Sequence, residues 1–169
     1  MKSSASTANG QEVPSSVVTK LTVLGATGSI GLNTLEIVRQ FPQKFKIEAL
    51  SCRSSIERLV EQIKEFEPRL VCVDNSEQAR ELRETFRDRN SGTETEFVWG
   101  VEGLIQISSD PEVDLVVAGI VGAAGLQPTY SAVQAGKTVA VANKEPLVMA
   151  GELFVQTANK TGAKLLPTD

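Results

Sequence analysis

Three glycines at every third position, Gly25, Gly28 and Gly31, interrupt the stretch LTVLGATGSIGLNTLEIV between an apolar run of strand type and an apolar pattern of helical period. A loop of that composition at the start of a helix suits one task above others, which is holding an anion. Backbone N–H groups and the positive end of the helix dipole converge there, and glycine lets a phosphate lie against the main chain. Thr27 and Ser29 add hydroxyl donors, and Ile30 completes the loop. Within a strand–turn–helix unit the expected ligand is the pyrophosphate of a dinucleotide. The spacing is G-x-x-G-x-x-G rather than the commoner G-x-G-x-x-G, and a tight strand-to-helix turn with no ligand is the structural alternative.

The second place to look is the end of the second strand, roughly 20 residues beyond the glycines, where NAD-specific proteins carry Asp or Glu for the ribose 2′-hydroxyl. This chain has SCRSS there. Arg53, Ser54 and Ser55 offer a cation and hydroxyl donors, which suit a 2′-phosphate, so NADP is favoured over NAD. A solvated arginine and a serine cap on the helix that starts at IERL is the other reading, compatible with the first. Tyr130, the only tyrosine, has Gln134 four residues on, so the Tyr-x-x-x-Lys pair of short-chain dehydrogenases is missing. With no histidine in the chain, a Ser-His or Cys-His nucleophile confined to it is excluded. Cys52 and Cys72 fall at or near strand ends and read as reduced, partly buried thiols.

These residues need a frame, and the hydrophobic periodicity supplies one. Strands are expected at LTVL, FKIEALS, LVCVD, TEFVWG, DLVVAGI, TVAVA and KLLP. Helices are expected at GLNTLEIVRQF, SIERLVEQIKEF, SEQARELRETFRDR, VEGLIQISS, within LQPTYSAVQAG, and at EPLVMAGELFVQTANKTG. Such alternation implies an α/β fold of doubly wound, Rossmann-like type, with a mostly parallel sheet and helices on both faces. Residues 1–19, rich in Ser, Thr, Gly and Pro, read as a flexible tail, and residues 20–169 as the dinucleotide-binding domain. The chain has 169 residues, 41% hydrophobic and 22% charged, enough for one domain with a real core. Its 17 basic and 21 acidic residues leave a net charge of -4 with no long basic cluster, which speaks against nucleic acid as a partner. No apolar run reaches the roughly 18 to 20 residues of a membrane span, and the N-terminal stretch lacks the apolar centre of a signal peptide, so a cytoplasmic protein is expected. GAKLLPTD runs a strand into Asp169 and stops, which reads as a chain cut before a further, catalytic domain.

The stretch AGIVGAAGLQPTYSAVQAGKTVAVANKEPLVMAG, taken with LGATGSIGLNTLEIV and the closing LLPTD, resembles the 1-deoxy-D-xylulose 5-phosphate reductoisomerases of the non-mevalonate isoprenoid pathway. The resemblance runs from about Lys20 to Asp169, and NKE following GKTVAVA is its most specific part. It implies an enzyme that uses NADPH and Mg²⁺ or Mn²⁺ to convert that sugar phosphate to 2-C-methyl-D-erythritol 4-phosphate, homodimeric when full length. This chain would be its cofactor domain, inactive alone. Gly25, Thr27, Gly28, Ser29 and Ile30 would contact the cofactor, as would Arg53, Ser54 and Ser55. Small residues at Gly119, Ile120 and Gly122 would make room for the nicotinamide-ribose half. Asn143 would supply a cofactor-contacting amide, Lys144 a substrate-contacting and catalytic lysine, and Glu145 a cofactor-contacting carboxylate. Without the resemblance, a helix start with an Asn cap and an acidic first turn is the structural alternative for those three. Asp169 resembles the first metal ligand, the others lying beyond this chain. Pro146 stands where relatives usually have Ser, and Arg53 where many have glycine before a basic residue and Asn. The alternative from another class is a non-catalytic NADP(H)-sensing Rossmann module.

Overall fold

A computed structural model describes residues 17–87 and 94–168. Strands whose two faces are both buried must read as continuous apolar runs, and they build the centre of the molecule here. β1 (Thr19–Leu24), β2 (Phe45–Ser51), β3 (Leu70–Val73), β4 (Glu96–Trp99), β5 (Leu115–Ala118), β6 (Thr138–Val141) and β7 (Lys164–Pro167) form one seven-stranded sheet. Their order is β4-β3-β2-β1-β5-β6-β7, and every pairing is parallel, so the sheet expected to be mostly parallel is wholly so.

Successive residues along the strands serve opposite faces, with one irregularity in β2 between Ile47 and Ala49 that puts Ile47 and Leu50 on the same face. Leu21 and Val23, Ile47 and Leu50, Val71 and Val73, and Val117 join one core, into which α1 (Ser29–Gln40), α2 (Ile56–Phe66) and α3 (Ser76–Phe86) send Leu35, Val38, Leu59, Ile63, Ala79 and Leu82. Leu24, Ala49, Leu70, Val116 and Ala118 join the other, against Ile107, Val133 and Phe154 from α4 (Gly100–Ser109), α5 (Leu126–Gln134) and α6 (Glu145–Thr161). The chain therefore winds outward from β1 to β4 under one set of helices. It then returns through α4 to β5 and winds the other way under the second set. Between β1 and β5 the winding reverses, and the C-terminal ends of strands at such a switch point are where open α/β sheets bind ligands.

Two features escape the periodicity. A 3₁₀ turn, Ala123–Gly125, precedes α5, and α6 is kinked at Ala150, whose φ of -146° and ψ of 29° are non-helical. The kink separates the first turns of α6 from the rest of the helix. The helix expected over SEQARELRETFRDR ends at Phe86, and the last residues of that stretch, like residues 1–16 of the expected tail, lie outside those described. Both cysteines are free and buried. Burial, with Asp74 nearby, pushes the Cys72 thiol up to about 12, so it stays protonated and unreactive.

Candidate dinucleotide site at the switch point

The glycine loop leaves β1 with Gly25 at φ +80°, a conformation a side chain resists. Each of the three glycines has its own reason. A Cβ at Gly31 would stand 2.4 Å from Gly25 O and 2.6 Å from Ala26 C, so this glycine lets helix and loop touch. One at Gly25 would stand 3.1 Å from Gly119 O, where β5 passes close by. At Gly28 the nearest atom is Gly25 O at 3.5 Å, which leaves the side-chain position open. Packing explains Gly31 and Gly25. It does not explain Gly28.

The loop is held from β2 and α2. Gly25 N–H donates to Ser51 Oγ at 2.9 Å and Ala26 N–H to Ser51 O at 2.8 Å. Gln62 Nε2 donates to Ala26 O at 2.9 Å, Arg58 Nη1 to Thr27 O at 3.2 Å, and Thr27 Oγ1 lies 3.3 Å from Cys52 Sγ. What is left over is informative. Gly28 is the N-cap of α1 and has no side chain to cap it, and the N–H groups of Thr27, Ser29, Ile30 and Gly31 donate to no acceptor among the described residues. A helix N-terminus with unspent donors in front of open space has the chemistry to hold an anion.

One strand over, Arg53, Ser54 and Ser55 follow β2 and are exposed. Arg53 Nε stands 3.6 Å from Asp74 Oδ1 with the side chain 85% exposed, a loose contact that leaves the guanidinium available. Ser55 is the N-cap of α2, yet its hydroxyl makes no capping hydrogen bond, so the serine-cap reading of SCRSS is not what these side chains do. They leave a second helix N-terminus with free hydroxyls beside a cation.

On the far side of β1, Gly119 N–H donates to Leu24 O at 3.0 Å. A Cβ at Gly119 would meet Leu24 O at 2.9 Å and Ile30 Cβ at 3.3 Å, so its smallness serves strand–helix packing. Gly122, at φ +76°, has nothing within 4 Å of its Cβ position and faces open space. Asn143, after β6, donates from Nδ2 to Ile120 O at 2.8 Å and so ties the β6 loop to the β5 loop instead of capping a helix. The N-cap of α6 is Lys144; Glu145 and Pro146 form its first turn, the place where proline costs least. Lys144 and Glu145 are exposed, and their side chains make no ion pair or hydrogen bond among the described residues. The structure thus brings Gly25 to Ile30, Arg53 to Ser55, Gly119, Ile120 and Asn143 to Glu145 to one edge of the sheet, along four adjacent strands. Asp169 lies outside the described residues.

Sequence reasoning missed Ser51, Arg58 and Gln62. Gln62 carried a signal: it occupies the apolar stripe of α2 between Leu59 and Ile63, where a polar residue asks for a reason. Ser51 and Arg58 carried none, because their partners lie 26 and 31 residues away.

Residues 21–151 match the family model described as 1-deoxy-D-xylulose 5-phosphate reductoisomerase. The reductoisomerase of Dechloromonas aromatica is 51% identical over 155 residues, covering 92% of this chain and 38% of the relative. A crystal structure of DOX-P reductoisomerase in complex with NADPH, fosmidomycin and magnesium superposes with a TM-score of 0.83 at 47% identity, covering 89% of this chain and 36% of that one. The Zymomonas mobilis reductoisomerase in complex with NADPH gives 0.81 at 33% identity, covering 90% and 39%. The chain spans well under half the length of the relatives it matches.

Proposed function

The chain belongs to the 1-deoxy-D-xylulose 5-phosphate reductoisomerase family, and from that premise we propose that it is the NADPH-binding part of an enzyme converting 1-deoxy-D-xylulose 5-phosphate to 2-C-methyl-D-erythritol 4-phosphate. The observation that carries the reading is the uncapped start of α1, with four unspent N–H donors in front of the open position at Gly28. Its fit to a dinucleotide is extended by Arg53, Ser54 and Ser55 at the end of the adjacent strand β2, where dinucleotide folds place the residues that meet the ribose 2′ position.

In this reading the loop N–H groups and the Ser29 hydroxyl hold the pyrophosphate, and Arg53 with the two serines holds the 2′-phosphate. Asn143 spends its Nδ2 on Ile120 O, which leaves Oδ1 to accept from the nicotinamide carboxamide. Lys144, exposed and unpaired at the end of β6, donates its ammonium to a substrate oxygen, and Glu145 faces the cofactor from the first turn of α6. NADPH bound there supplies the hydride that reduces the aldehyde left by rearrangement of the sugar skeleton. Asp169 would contribute one carboxylate to a Mg²⁺ or Mn²⁺ site completed by residues beyond this chain, the metal supplying Lewis acidity to substrate oxygens. A cytoplasmic, homodimeric full-length enzyme accompanies the reading. Among the described residues no helix is long and apolar enough to cross a membrane.

The test is NADPH oxidation by the full-length protein against varied sugar phosphate and Mn²⁺, beside the 169-residue chain alone. The full-length protein should turn over and the chain alone should bind NADPH without turnover. A chain that binds neither NADPH nor NADH, or a full-length protein that binds NADPH and leaves the sugar phosphate unchanged, would refute the assignment. The second outcome would favour the sensing module.

A further inference from the structure

Gln62 is 4% exposed and packs in the apolar face of α2, which is an expensive place for a primary amide. One end of that amide is spent well: Nε2 donates to Ala26 O across 36 residues of sequence at 2.9 Å. The other end, Oε1, is buried without a hydrogen-bond partner. The orientation is not exchangeable, since turning the amide over would set two oxygens against each other. An unbranched apolar side chain of similar size would fill the same space and remove the orphaned Oε1, but would leave Ala26 O without its donor. The amide therefore contributes something to the Ala26 carbonyl that packing alone does not.

Peptide geometry says what that is. The chain contains no cis peptide among its described residues, so the N–H of Thr27 points opposite to the carbonyl of Ala26 in the same plane. Fixing Ala26 O toward α2 fixes the Thr27 N–H away from α2, and it has no acceptor among the described residues. Ala26 O receives no helix N–H, because α1 begins only at Ser29, so Gln62 is its one donor among the described residues. Arg58, one turn earlier on α2, holds the next carbonyl, Thr27 O.

We infer that Gln62 is a positioning residue for the dinucleotide pyrophosphate: it sets the orientation of the Ala26–Thr27 peptide so that the Thr27 N–H meets a phosphate oxygen. The inference rests on the reading of the loop as the pyrophosphate site. It makes a claim that a packing role does not, because the pyrophosphate is common to NADPH and NADH whereas the 2′-phosphate is not. Loss of Gln62 must weaken both nucleotides by the same factor, while loss of Arg53 weakens NADPH alone.

The experiment is titration of NADPH and of NADH into wild type, Gln62→Met and Gln62→Glu, with thermal melts in the absence of nucleotide and steady-state kinetics in the full-length enzyme. Gln62→Met removes the donor and the orphaned oxygen together. It should raise both dissociation constants about tenfold with the NADPH to NADH ratio unchanged, raise KM for NADPH with kcat little altered, and move the melting temperature little. Gln62→Glu can donate only as the neutral acid, so its NADH affinity should approach wild type as pH is lowered, or match wild type throughout if burial keeps it protonated. Wild-type affinity for both nucleotides in Gln62→Met, a melting temperature that falls with binding unchanged, or Gln62→Glu behaving as Gln62→Met at every pH overturns the inference. A wild-type chain that binds neither nucleotide overturns the functional reading itself, which keeps the two failures apart.

Discussion

The two edges of the sheet are built from the same strands and treat charge in opposite ways. At the N-terminal edge a group of charges around β1, β2 and β3 is paired. Glu48, 3% exposed on β2, has Lys46 Nζ at 2.8 Å and Arg69 Nε at 3.4 Å, and Arg69 Nη2 reaches Asp110 Oδ1 at 2.7 Å. The Arg69 nitrogens approach at ion-pair distance without hydrogen-bond alignment, so this is a charge contact more than a directed bond. Lys20 Nζ meets Glu112 at 2.8 Å, and its N–H donates to Asp114 at 2.9 Å. At the C-terminal edge the reverse holds. Four loop N–H groups, two serine hydroxyls, Lys144 and Glu145 have no partner among the described residues, and Arg53 has a distant one. Polar groups left unspent at the ends of β1, β2 and β6, in a fold that pairs charges around β1 to β3 at the other end, set this edge apart as the candidate ligand edge. Substitutions at one edge should therefore move stability, and those at the other binding.

The largest effects should fall on the glycines. Gly28→Val should abolish detectable NADPH binding, at least a hundredfold or about 2.7 kcal/mol, because its side chain enters the open space before the helix. The melt should shift little, since φ of -81° and ψ of 175° suit valine. Gly31→Ala should do the opposite first, lowering stability by about 3 kcal/mol through a Cβ 2.4 Å from Gly25 O, and lose binding only as a consequence. Denaturant melts and NADPH titration on both variants check the pair. Equal stability losses would break the distinction drawn between a ligand glycine and a packing glycine.

Next in size is Arg69→Leu at the paired edge. It should cost about 1–3 kcal/mol, below the full penalty for a broken buried pair because Arg69 is 39% exposed and Lys46 still faces Glu48. The NADPH dissociation constant should not change, and a tenfold change would show that the two edges are coupled. Arg53→Ala at the open edge should lower the NADPH to NADH preference about tenfold and leave stability alone, since its guanidinium is 85% exposed. An unchanged ratio of dissociation constants would remove Arg53 from the 2′-phosphate site. In the full-length enzyme, Asp169→Asn should keep NADPH binding and lose metal-dependent turnover, and Lys144→Ala should raise KM for the sugar phosphate more than for NADPH. Steady-state rates against varied Mn²⁺ and substrate check both.

Among the described residues, hydrophobic period revealed the seven strands and six α-helices because the central strands are buried on both faces and each helix has an apolar stripe, so that there the pattern and the structure are the same physical fact; the outermost strands, β4 and β7, are largely exposed. The kink at Ala150 has no such mark, since no proline falls at that point of α6. Within the site, the glycine spacing located the loop but could not separate Gly28 from Gly31. That difference depends on which atoms of β1 and α1 meet after folding. Gly119 shows the same gap: smallness expected for a nicotinamide is accounted for by Leu24 O and Ile30. Ser51 and Arg58 were invisible, and Gln62 showed only as a polar residue in an apolar stripe, because what they hold is a backbone carbonyl or N–H brought close only by the fold.

The central claim is that the C-terminal edge between β2 and β6 receives an NADPH molecule, and amide chemical shifts of the 169-residue chain during NADPH titration test it most directly. Shifts are expected at Thr27, Ser29, Ile30 and Gly31, at Arg53 to Ser55, and at Ile120 and Asn143 to Glu145, with Lys20, Glu48, Arg69, Asp110 and Glu112 to Asp114 unmoved. Shifts confined to the paired edge, or none at the glycine loop at saturating NADPH, would contradict it.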